Sequence, residues 1–163
     1  MRKTIVTTVL GLAAVAAIGI SGTSLGAASP HHTRVVKRIH LLEREDQVTF
    51  VDRGRKGLSP GDERLVSSTI LTTAKKRIGQ AAFVCTIAGV GKSTYSGACH
   101  GGLVLPGGEV TGEFVFTQAS DAAPAVQQVL TGGTGAYRGA RGQFVAKQVD
   151  SGLTPVVIEL LGD

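Results

Sequence analysis

The chain has 163 residues, with 17 lysines and arginines against 12 aspartates and glutamates, a formal net charge of +5, 23 glycines, two tyrosines and no tryptophan. With so few rings for stacking, and no basic cluster stronger than Lys75-Lys76-Arg77, a nucleic-acid partner is excluded. The histidines (His31, His32, His40 and His100) have no ligand spacing and no cysteine-rich frame beside them, so no metal site is predicted.

The N-terminus opens on Arg2 and Lys3, runs uncharged and apolar from Thr4 to Ile20, and reaches the small residues Gly26-Ala27-Ala28 before Ser29-Pro30. That order predicts a secretory signal peptide over residues 1–28 and a secreted domain over 29–163. The run is only marginally long for a bilayer core, so no stable membrane anchor is expected. Without Arg2 and Lys3, 15 basic residues face 12 acidic ones, and part of the apparent basicity belongs to the leader.

After the leader the chain reads as extended segments: 35–42, 48–51, 64–71, 78–87, 93–105, 109–117, 126–131, 143–149 and 156–161, each bounded by Gly, Pro, Asp or Ser. Glu113-Phe114-Val115-Phe116-Thr117 and Gln143-Phe144-Val145-Ala146-Lys147 alternate with period two, as half-buried antiparallel strands do. The same alternation points Glu113 away from the face that Phe114 and Phe116 define. Pro124 interrupts the nearest helical stretch, 119–130, and limits it to a turn or two. Eight or nine short strands with tight turns leave a sandwich or a closed up-and-down barrel.

Within this order, Pro60-Gly61-Asp62 reads as a turn with Asp62 capping it. Lys75-Lys76-Arg77 reads as the solvated end of a hairpin. Cys85 and Cys99 sit in strand-like runs separated by one hairpin of an exported chain, and a disulfide between them is expected, free thiols being the alternative. The run from Leu130 to Phe144 reads as a glycine-dense β-connection. Neither a dinucleotide fingerprint nor a nucleophile elbow fits it, because Arg138 stands where a third glycine would be needed and no Gly-x-Ser-x-Gly is present.

Three separated pieces resemble the allene oxide cyclase and dirigent barrels. Pro60-Gly61-Asp62 resembles the loop before an early strand. Lys75-Lys76-Arg77-Ile78-Gly79, followed by Cys85, is similar to a stretch of the plant cyclases. Thr131-Gly132-Gly133-Thr134-Gly135 with Tyr137 resembles their glycine-aromatic element, and the continuation from Arg138 to Gly142 is closer to dirigent proteins. The resemblance implies an all-β, eight-stranded antiparallel barrel that binds a small apolar molecule and directs its cyclisation or coupling without a cofactor. It also implies assembly into a homo-oligomer.

Those cyclases carry a carboxylate on the first strand, and the approximate counterpart here is Glu43 in His40-Leu41-Leu42-Glu43-Arg44-Glu45-Asp46. Facing an apolar lumen, it would titrate high and act as acid or base; on the surface, it would be a strand carboxylate beside Arg44. Tyr95 and Tyr137 are the phenols available to a ligand oxygen, with Tyr137 also suited to anchoring the corner. Arg138 and Arg141 would hold an acidic substrate head, or else are solvated rim charges. The expected function is thus a cofactor-free isomerase or cyclase with Glu43, Tyr95 and Tyr137 at its site. The alternative is an extracellular carrier or surface interaction module without turnover.

Overall fold

The computed structural model describes residues 34–119, 125–147 and 152–162. The predicted leader, His31, His32 and the Pro124 interruption lie outside the described residues. The eight strands are β1 Val35–Val51, β2 Glu63–Thr72, β3 Arg77–Val90, β4 Thr94–Leu105, β5 Gly108–Ala119, β6 Ala125–Gly133, β7 Gly142–Lys147 and β8 Thr154–Leu161. All neighbours pair antiparallel in sequence order, and β1 pairs with β8 to close the barrel. The expected closed barrel is the architecture found.

The first two predicted segments are one 17-residue strand. The charged run Glu43-Arg44-Glu45-Asp46 reads as a break in sequence, but in the barrel Glu43 and Glu45 turn toward the lumen while Arg44 and Asp46 face out. Pairing with β2 shifts register between Glu45 and Gln47, a bulge that flips the phase of the strand. Beyond it Val48 stands opposite Val66 and Phe50 opposite Arg64, so these two apolar side chains share the inward face.

The barrel has two unlike ends. At the end formed by the β2–β3, β4–β5 and β6–β7 connections, the lumen is filled by Leu41, Ile70, Leu103, Val110, Val156 and Ile158, all under 5% exposed. Burying each such side chain contributes roughly 1.5–3 kcal/mol, which makes this half the hydrophobic core. Phe83 and Phe144, with ring centroids 6.2 Å apart, pack over it. Among the described residues the other end is open, framed by the 52–62 loop and the β3–β4 turn. There Asp62 is buried and clips the loop: its carboxylate accepts hydrogen bonds from the backbone N–H of Arg53 (2.9 Å) and Ser59 (2.6 Å). The Arg53 amide is the main reason that carboxyl titrates below its ordinary range.

Two further features shape the lumen. Cys85 and Cys99 are direct cross-strand partners on β3 and β4 and form a disulfide whose two residues are buried on the inward face. Between β5 and β6, the ladder among the described residues runs from Val110–Gly133 to Glu113–Val129, with a register shift between Thr111 and Gly112.

Gly142 begins β7 at φ +140°, and a Cβ there would stand 1.8 Å from the Glu159 carbonyl oxygen of the neighbouring strand. A side chain can fit only if the β7–β8 ladder moves. G142A is therefore expected to cost on the order of 3 kcal/mol, read as a lower urea midpoint with an unchanged slope.

Candidate functional site

A cavity of about 90 Å³ lies between the packed half and the open end, lined by Glu43, Val66, Phe83, Cys85, Gln128 and Phe144 among others, with Glu45 and Arg64 at its outer edge. Its wall is mainly apolar. A cavity of roughly 150 Å³ accommodates a benzene ring, so this one seats only the end of a substrate. The remainder would occupy the vestibule above, where Val48, Phe50 and Val90 are about half exposed.

Glu43 is placed by strand alternation: Leu41 and Glu43 are both buried on the inward face of β1, and Glu43 stands opposite Ile70 of β2. Burial pushes its carboxyl above the ordinary glutamate range, and the neighbouring Glu45 charge adds to this. Ser68 and Arg64 act in the opposite sense but do not cancel it. The Ser68 hydroxyl is 1% exposed and its approach to Glu43 falls short of a well-formed hydrogen bond, leaving that oxygen unsatisfied. Arg64 reaches Glu45 instead, with Nη2 at 3.2 and 3.4 Å from the two carboxylate oxygens. This partly exposed pair fixes the mouth more than it stabilises the fold.

The sequence-predicted residues fall at two separate ends. Tyr95, near the start of β4, belongs to the open end: its ring meets Phe116 edge-on at 5.8 Å, and Phe116 in turn lies 6.1 Å from the cavity-lining Phe114. Gly97 allows this cluster, since a Cβ there would stand 2.7 Å from the Phe116 ring. Tyr137 lies at the packed end, in the short 3-10 turn Gly135–Tyr137 of the β6–β7 connection, where its hydroxyl donates to the Pro106 carbonyl at 3.4 Å. Arg138 and Arg141 follow it in the same connection and are exposed. Glu43 and Tyr95 therefore share one end of the lumen, while Tyr137, Arg138 and Arg141 do not.

Gln128 on the cavity wall and Ser68, buried next to Glu43, were not singled out from the sequence. Their signal was present. Ser68 shares the phase of Val66 and Ile70, and Gln128 that of Val126 and Leu130, so each is a polar residue on an apolar stripe. Gln128 is 2% exposed, with its carboxamide at the cavity wall.

No family model and no curated protein matches the sequence. Solved structures do match the fold. The barrel is similar to a pyocyanin demethylase, with 22% identity over 76% of this chain and 99% of that one and a TM-score of 0.67. It is also similar to a pterocarpan synthase dirigent protein (19% identity, 86% and 98% coverage, TM-score 0.57). An exo-specific intermolecular Diels-Alderase shares the fold as well (12% identity, 77% and 99% coverage, TM-score 0.57). These proteins share the closed eight-stranded antiparallel barrel that the sequence resemblance implied.

Proposed function

We propose that this is an exported barrel protein that takes the end of a small apolar molecule into its lumen and directs a cofactor-free cyclisation or stereoselective coupling. The observation that carries the reading is Glu43, an ionisable group buried in a mainly apolar cavity whose nearest basic side chain is engaged by another carboxylate. Burial favours the neutral acid, which can donate a proton or hydrogen bond to a substrate oxygen as charge develops there. Gln128 offers a further polar contact on the same wall, and Ser68 adjoins Glu43. A narrow cavity continuous with a wider vestibule selects among the folded conformers of a flexible substrate, lowering the entropic part of the barrier. Tyr95 contributes to the rim, and Tyr137, Arg138 and Arg141 have no contact with substrate in this reading. The likeness to a dirigent protein and a Diels-Alderase supports the reaction class, and the substrate is left open.

The half-exposed apolar rim of Val48, Phe50 and Val90 favours a second reading, a carrier that binds and releases its ligand unchanged. Native mass spectrometry of the protein recovered from its own culture medium tests both, with V66W, which fills the cavity, as control. An adduct lost on denaturation and absent from V66W supports lumen binding. Conversion of the extracted compound to a product of equal mass or a coupled product on incubation with fresh protein supports catalysis, and unchanged compound supports the carrier. An adduct retained in V66W would sink both.

A further inference from the structure

Charge is divided unequally between the two ends of the barrel. The packed end comprises the start of β1, the β2–β3, β4–β5 and β6–β7 connections and the end of β8. It carries Arg34, Lys37, Arg38, Lys75, Lys76, Arg77, Arg138 and Arg141, all exposed, against Glu109 and Glu159, an excess of six positive charges. Among the other described residues, seven basic side chains meet seven acidic ones and the excess is zero. Arg38 is paired with Glu159 at 2.7 Å, and Arg77 acts on Asp46 at longer range. Asp163, next in sequence after the described end of β8, would still leave an excess of five.

We infer that the packed end is a docking pole for the flat anionic surface of a phospholipid bilayer, which holds the barrel with its mouth facing the medium. Two observations favour this occupant. The basic residues come from three of the five chain segments at that end, so they are spread over the pole instead of lining a groove, which suits a plane better than a single polymer strand. The turns there present Pro106, Gly107, Gly135 and Ala136, and the start of β1 adds one exposed apolar side chain, Val36, among Arg34, Lys37 and Arg38, which suits headgroup contact with little insertion. Attraction to anionic lipid is additive over basic residues near the surface and is screened within about 10 Å at 0.1 M salt. The lumen would then receive its ligand from the aqueous side, away from the bilayer.

The test uses residues 29–163, which contain the whole hydrogen-bonded ring, in sedimentation with vesicles of phosphatidylcholine and phosphatidylglycerol at about 7:3 against phosphatidylcholine alone. The protein is expected to bind the anionic vesicles at low salt and to leave them as salt rises. The triple variant K76E, R138E and R141E should bind at least about tenfold more weakly, while the equally charged mouth variant R55E, K56E and K92E should bind within about twofold of the parent. Equal loss in both variants, no binding to anionic vesicles, or binding to dissolved dextran sulfate without binding to vesicles would each overturn the proposal. If the pole variant does not fold, energy transfer to a lipid dye from a fluorophore at A136C and, separately, at K92C in otherwise parent protein decides it. Stronger transfer from position 136 is expected; equal or stronger transfer from position 92 would overturn it.

Discussion

Replacing both Cys85 and Cys99 by alanine is expected to cost about 3 kcal/mol of stability and to lower the melting temperature by about 10 °C. The bond closes a loop with a sequence separation of 14 between direct cross-strand partners, and its removal restores the freedom of that loop to the unfolded chain. Because Cys85 lines the cavity, the same change also loosens the wall beside Phe83 and Glu43. Calorimetry with and without a phosphine reductant checks this: the parent should melt lower when reduced, and the double variant should be indifferent to reductant. A parent that melts at the same temperature in both conditions would show that the β3–β4 pairing holds without the bond.

Substituting Glu43 by glutamine is expected to reduce turnover about 100-fold or more while leaving ligand affinity within a few-fold, since the amide keeps the shape and a hydrogen-bond donor but cannot transfer a proton. It also changes the pH dependence of stability in a defined sense. The folded state holds the Glu43 proton more tightly than the unfolded state, so this group's stabilising contribution is full below the ordinary glutamate range and is lost as pH rises through the elevated pKa. Asp46, Asp62 and Glu159 run the other way. Their carboxyls are held low chiefly by the Thr69 hydroxyl, the Arg53 amide and the Arg38 guanidinium respectively, so their contributions are present above the ordinary range and lost as pH falls. Thermal melts across pH should therefore show E43Q flattening the part of the parent's fall that sets in as pH rises above the ordinary glutamate range, while the acid limb stays in place. A pH profile unchanged on that side in E43Q would mean that Glu43 is solvated and ionised in the folded state.

Much of this fold is written in local pattern. Alternation in β5 put Glu113 on the face opposite Phe114 and Phe116, because a two-residue period fixes relative sides, but it did not tell which face lines the lumen; the structure puts Phe114 and Phe144 on the cavity wall. The turn role of Asp62 was equally legible from Pro-Gly-Asp. The long β1 was not, since four consecutive charged residues resemble a loop unless the inner face is known to hold carboxylates and a bulge. The site was harder still. Glu43 could be singled out by likeness, but its grouping with Tyr137 rested on chemistry alone, and only strand order puts those two residues toward opposite ends of the barrel. Ser68 and Gln128 were hidden by the habit of reading polar residues in strands as solvent-facing.

The pairing of β1 with β8 also governs how the chain acquires its structure. Val35 meets Leu161 and Glu43 meets Thr154, partners more than a hundred residues apart, so the ring lacks its closing ladder until the last strand has emerged. Such long-range closure favours slow folding and leaves the edge of β1 and that of the last strand made unpaired in every fragment that lacks β8. A growing chain therefore stays open, and competent for passage through a narrow pore, until its final eight-residue strand is made.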